Sequence, residues 1–133
     1  MANVLLISHG DMAKEVYETV KMIFGQPEHF DYLQLPAGCD LQEYKAQIIE
    51  HVENSDDGLL ILADLFGGSP FMLSSQVFGD EKYNGKMELV TGLNMPMALE
   101  VASKVEFQNL EELKQTALES GVQGICDLRQ RLS

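Results

Sequence analysis

Two stretches of the chain are apolar without interruption, and the rest of the pattern falls into place around them. Val4-Leu5-Leu6-Ile7 and Leu59-Leu60-Ile61-Leu62-Ala63 carry no polar residue, which is the signature of strands covered on both faces, as in parallel sheets. Between and after them the period changes to helical. Asp11 to Phe24 places Met12, Val16, Val20 and Ile23 at three- and four-residue spacing with Lys14, Glu15, Glu18 and Lys21 between. That is an amphipathic helix, with Asp11 at its start and Gly25 and Pro27 closing it. Phe30 to Leu35 reads as a second strand, ended by Pro36 and Gly38. A helix then starts at Asp40, with Leu41, Tyr44, Ile48, Ile49 and Val52 as its inner face.

After the strand at Leu59, Ser69 is expected as an N-cap with Pro70 at the first helical position, giving a helix to Phe78. Gly79 to Gly85 is a charged loop. Lys86 to Thr91 is a fourth strand, Pro96 opens a helix through Ser103, and a last helix from Asn109 carries Leu110, Leu113, Ala117 and Leu118 up to Gly121. Periodicity leaves the tail from Gly124 to Arg129 open between a short strand and a helical turn. Strand and helix thus alternate four times, which predicts a parallel sheet covered by helices in a single domain spanning 1–133.

The chemistry expected of this fold lies where the strands end. Three exits are polar and glycine-rich: Ser8-His9-Gly10, Asp64-Leu65-Phe66-Gly67-Gly68-Ser69-Pro70, and Thr91-Gly92-Leu93-Asn94-Met95-Pro96. In a parallel sheet all three open on one edge, where ligands gather beside helix N-termini. Gly10, Gly67 and Gly68 offer backbone N–H groups without side-chain shielding, and Ser69 adds a hydroxyl, a set suited to phosphate. Asp64 can hold the far ring nitrogen of His9 and fix its tautomer, leaving the other nitrogen as a nucleophile. Each feature alone has an ordinary explanation; together they point to an active site.

Composition narrows the picture. The formal charge of −12, from 21 acidic against 9 basic residues, opposes binding to nucleic acid or an anionic membrane. No run approaches the roughly 18 apolar residues of a membrane span, and the first residues lack a basic secretion signal, so a cytoplasmic protein is expected. Cys39 and Cys126 match no metal spacing, and a reducing compartment fits them. His29 and His51 read as surface residues, and Asp56-Asp57 as a solvated turn. No P-loop, dinucleotide fingerprint, zinc pattern or nucleophile elbow is present, so a reaction without metal or cofactor is expected.

The blocks Val4 to Gly10, Asp64 to Phe71 and Thr91 to Met97, in this order and spacing, resemble the three signature blocks of the IIA domain of mannose-family sugar phosphotransferase systems. The resemblance implies a phosphotransferase of bacterial cytoplasm in which His9 takes a phosphoryl group on Nε2 from the carrier HPr. The group then passes to a histidine of the IIB component, for sugar entering through the membrane components IIC and IID. It matches Asp64 and Ser69 to the aspartate and serine beside the phosphate. It also implies a doubly wound sheet of order 2-1-3-4, completed by a C-terminal antiparallel strand, Ile125 to Arg129, exchanged within a homodimer.

Ser8 stands where threonine is often expected, which keeps the hydroxyl. Some relatives continue into a IIB domain, so a chain ending at Ser133 implies a separate IIB. Phe66, Phe71 and Met95 are expected to form an apolar docking rim. Three other readings fit less well. The phosphocarrier subunit of dihydroxyacetone kinase lacks the Gly-Gly-Ser-Pro-Phe block. A histidine phosphatase needs an arginine where Ser8 stands, and a receiver domain needs an acidic pair where Ser8-His9 stands.

Overall fold

A computed structural model describes all 133 residues. Four strands, β1 (Asn3–His9), β2 (Phe30–Leu35), β3 (Leu59–Ala63) and β4 (Met87–Thr91), form one sheet in the order β2-β1-β3-β4. All three pairings are parallel, with Ile7 opposite both Leu33 and Ala63, and His9 opposite Leu35. The helices are α1 (Met12–Phe24), α2 (Leu41–Glu53), α3 (Ser69–Phe78), α4 (Met95–Lys104), α5 (Leu110–Gln123) and α6 (Leu128–Leu132), with one 3-10 turn at Glu81–Tyr83.

The doubly wound α/β architecture is therefore the expected one, and the alternation of β1 shows how it is covered. Val4 and Leu6 join Leu60, Leu62 and Val90 in a core closed by α1, α4 and α5. Leu5 and Ile7 join Leu59, Ile61 and Ala63 in a second core closed by α2 and α3. Successive residues of a strand face opposite ways, so Ser8 falls on the α1 side and His9 on the side of α2 and α3.

Several boundaries and faces differ from the sequence expectation. Ser69 is the first residue of α3 and not its cap, a position held by Gly68. α4 starts at Met95 because Asn94 caps it, its side chain accepting the Met97 N–H at 3.0 Å. On α1 the buried line is Ala13, Val16 and Val20, with Met12 and Ile23 exposed. The smaller Ala13 sits against the sheet, where Met12 would require a wider gap. Leu41 and Leu118 are likewise exposed.

The antiparallel strand expected for Ile125 to Arg129 is absent from the sheet. The tail instead ends in α6, whose N-cap Asp127 accepts the Arg129 N–H at 3.3 Å. A capping aspartate followed by leucines four residues apart satisfies a helical turn locally, whereas a strand must find a partner edge.

The sheet interior sets the stability of everything it carries. Ile61, 0% exposed at the centre of the α2/α3 core, is the clearest test. Ile61→Ala is expected to lower unfolding free energy by about 2–5 kcal/mol in denaturant titration, because the removed methyls leave a cavity between packed layers.

Candidate functional site

His9 is the last residue of β1, and its loop is held from three directions. Beneath it Ser8, 0% exposed, accepts the Ala13 N–H on its Oγ at 2.6 Å. That hydroxyl does the N-terminal capping of α1 that Asp11 was expected to do. Asp11 itself makes no cap bond; its Oδ1 accepts Gln34 Nε2 at 2.6 Å, tying the loop to β2. Gly10 turns the chain with φ of +53°, a conformation that suits glycine. Its N–H donates to the Leu35 carbonyl at 3.0 Å. Gly10 is therefore a turn residue, and its amide is already used by the ladder, which removes it from the expected phosphate cradle.

Asp64 follows β3 directly, and its N–H donates to the Ile7 carbonyl at 3.1 Å, so the β1–β3 pairing carries it to His9. One carboxylate oxygen, Oδ2, accepts both the backbone N–H of His9 at 3.0 Å and its ring Nδ1 at 2.7 Å. The other, Oδ1, accepts the Leu65 N–H at 2.9 Å. A carboxylate can only accept, so this bond assigns the proton of a neutral ring to Nδ1 and leaves the lone pair on Nε2. Burial pushes the Asp64 carboxyl upward, but the His9 amide, the His9 ring and the Leu65 amide outweigh it and hold it below the usual carboxylate value. The Asp64 side chain is 8% exposed and that of His9 48%, so the acid is an anchor and the imidazole faces solvent.

The same negative charge is felt beneath the site. Tyr44, buried and donating to the Leu33 carbonyl at 3.0 Å, has its hydroxyl pushed up by burial, then by Asp64 and Cys39. Its place under the site was not legible in the sequence, where it reads only as one residue of a helix face.

Past Asp64 the chain leads into α3. The N–H groups of Gly67, Gly68 and Ser69 make no hydrogen bond within the protein, as expected for donors opening a helix. Gly67 has φ of +92°. Three of the four expected cradle residues thus keep free donors at the edge where His9 stands.

The third exit has a different job. Leu93 N–H donates to the Ala63 carbonyl at 3.0 Å, next to Asp64. Asn94 caps α4 and donates its amide to the Gly121 carbonyl at 3.0 Å. This block braces β3 and α5. Met95 is half-buried and packs against the α1/α4/α5 core.

Phe66 is 76% exposed and its ring lies 4.6 Å from that of Phe71, centroid to centroid. Met12, Leu65 and Met72 are also exposed; Met12 reads as core in the sequence because it falls at helical spacing. His9 and Asp64 line none of five surface cavities of about 280–600 Å³. His29 and His51 line a groove of about 560 Å³ that also includes Asn3 and Leu59, at the opposite edge of the sheet. There His29 Nδ1 lies 2.7 Å from Asn3 Oδ1 and His51 Nε2 lies 3.1 Å from Asp31 Oδ2. No three histidine, cysteine or acidic side chains converge in a metal-binding arrangement. No helix is long and apolar enough to cross a membrane.

Fold and site together define a class: a doubly wound α/β domain with an oriented, solvent-facing histidine at the carboxyl edge of its sheet. The chain belongs to the family described as the PTS system fructose IIA component, whose pattern matches residues 3–118. It is 27% identical over 131 residues to the PTS system mannose-specific EIIAB component of Escherichia coli K12, covering 95% of this chain and 39% of that protein. The chain thus spans well under half the length of that relative. It is 29% identical over 111 residues to the PTS system sorbose-specific EIIA component of Lacticaseibacillus casei, covering 83% of this chain and 78% of the relative. Among solved structures, phosphotransferase system component EIIA from Streptococcus agalactiae superposes with a TM-score of 0.88 at 25% identity. That match covers 98% of this chain and 99% of the other.

The depressed Asp64 carboxyl makes a prediction about acid stability. The folded state binds its proton less readily than the unfolded chain, so Asp64 stabilises fully above the ordinary value of about 3.9 and loses that contribution as pH falls through the lower folded value. Asp64→Asn is expected to flatten the fall in stability below about pH 4, measured as denaturation midpoints. An unchanged slope would show that the carboxylate contacts carry no net stability.

Proposed function

We propose that the chain is a phosphohistidine carrier of a bacterial sugar phosphotransferase system, working in the cytoplasm between HPr and a IIB component. The observation that carries this reading is the 2.7 Å bond from His9 Nδ1 to Asp64, which leaves Nε2 as the free nucleophilic nitrogen. Solvent exposure of the ring suits a donor and an acceptor that are themselves proteins, since each must bring its own imidazole to within bonding distance of the same phosphorus.

In the first transfer the Nε2 lone pair attacks the phosphorus of phospho-HPr in line with the bond to the donor imidazole, which leaves with that bond's electron pair. His9 then holds the phosphoryl on Nε2 and the proton on Nδ1, a positive ring beside the Asp64 carboxylate. The second transfer reverses these roles toward a histidine of IIB. A phosphoramidate is already an activated bond, so the protein's task is positioning and charge stabilisation. The free N–H groups of Gly67, Gly68 and Ser69, with the Ser69 hydroxyl, are placed in this reading to meet the phosphoryl oxygens. Phe66, Phe71, Leu65, Met12 and Met72 supply the docking surface, together with the half-buried Met95. HPr and IIB use it in turn, so each complex is transient. The sugar never contacts this chain; it meets IIB with the membrane components IIC and IID.

His9→Ala is expected to abolish the mass gain of one phosphoryl group on incubation with phospho-HPr. Asp64→Ala is expected to stay folded and transfer roughly 10²–10³-fold more slowly, as when one fixed electrostatic partner of a reacting group is lost. The phosphoprotein is expected to be acid-labile and alkali-stable, whereas an acyl phosphate is lost in alkali. A full mass gain in His9→Ala would overturn the assignment.

A homodimer belongs to the same reading, supported by the apolar surface at the C-terminus. Val122, Ile125, Leu128 and Leu132 are 71–78% exposed on the end of α5, the tail and α6, and a second copy would cover them. Light scattering is expected to give twice the 14.8 kDa chain mass; a monomer at micromolar concentration would exclude the dimer.

A further inference from the structure

The two adjacent glycines at the start of α3 are glycines for opposite reasons. Gly67 has φ of +92°, and a Cβ built on it would meet nothing within 4 Å, so its need is conformational. Gly68 has φ of −77° and ψ of 169°, an extended backbone that any residue adopts. A Cβ on Gly68, however, would stand 2.4 Å from His9 Cε1, 3.1 Å from Nε2 and 3.6 Å from Nδ1. We propose that Gly68 is a positioning residue for His9: by having no side chain it lets the start of α3 close on the ring edge between the two nitrogens.

Asp64 and Gly68 then act on one ring from two sides. The hydrogen bond to Nδ1 fixes one nitrogen and leaves the imidazole able to swing about it. Close approach of Gly68 to the Cε1 edge removes that swing and fixes Nε2 beside the start of α3. Of the two partners, the ring is the one that can yield. Gly68 is the N-cap of α3 and its carbonyl accepts the Met72 N–H at 2.8 Å, while His9 is half-exposed and held at its ring only by Asp64. Ordinary carbon contacts lie at about 3.5–4.0 Å, so a methyl at Gly68 displaces the ring by roughly 1 Å and breaks its bond to Asp64. This refines the carrier reading, and its kinetic part rests on that reading.

Gly68→Ala is the test, read in two ways. Long-range ¹H–¹⁵N correlation spectra of the His9 ring are expected to show the Nδ1–H form in the parent and a mixture of tautomers in Gly68→Ala. Phosphoryl uptake from phospho-HPr is expected to fall about 10²-fold, the loss typical of a 1 Å misplacement. If the variant keeps the parent tautomer, the inference is overturned, whatever happens to uptake. If the tautomer shifts while neither protein accepts a phosphoryl group, the positioning stands and the carrier reading fails. Combining His9→Ala with Gly68→Ala guards against a variant that does not fold. The melting-temperature loss from Gly68→Ala is expected to be smaller in the His9→Ala background than in the parent, since the clash is with the ring and only the poorer N-cap remains; an equal loss in both backgrounds would place the clash elsewhere and overturn the inference.

Discussion

A single carboxylate oxygen organises the reactive edge of this protein. Asp64 Oδ2 accepts the backbone amide and the ring nitrogen of the same histidine, which fixes position, tautomer and local charge together. The arrangement requires that residues 55 apart in sequence lie side by side, and only the parallel pairing of β1 with β3 supplies that. The buried strands are thus as much a part of the site as the histidine. Removing methyl groups from their interior loosens the frame on which a 2.7 Å contact depends.

Much of this was legible in the sequence, and the reason is physical. A parallel strand covered on both faces must be apolar throughout, so β1 and β3 announce themselves and their polar ends mark the carboxyl edge. His9 and Asp64 follow at once, being the residues at which apolar runs give way to polar sequence. What the sequence hides is where each backbone donor goes. Gly10 looks like an open amide until the register of β1 with β2 assigns its N–H to Leu35. Asn94, set in a block that resembles part of the site, spends its side chain on α4 and on the Gly121 carbonyl. Ser8 looks incidental and proves to be the buried cap of α1.

The misjudged apolar residues share a cause. Periodicity tells which residues lie on one stripe of a helix, not whether the sheet extends far enough to cover all of it. Met12, Ile23, Leu41 and Leu118 fall on or beside the inner stripes and yet lie open. At the tail the competing forces are local and distant: a capping aspartate with leucines four apart makes α6 within the chain, whereas an exchanged strand draws its stability from a second copy. Sequence pattern contains the first term in full and the second not at all.

The openness of His9 also bears on time. An imidazole with nearly half its surface in solvent would, in the proposed role, keep any group it carries in contact with water, a competing acceptor. In the proposed carrier role, the yield is a race between hydrolysis and the next collision, and collision frequency between charged proteins depends on ionic strength. In a chain with 21 acidic and 9 basic residues, the long-range field that draws basic surfaces inward would then help determine how much cargo arrives.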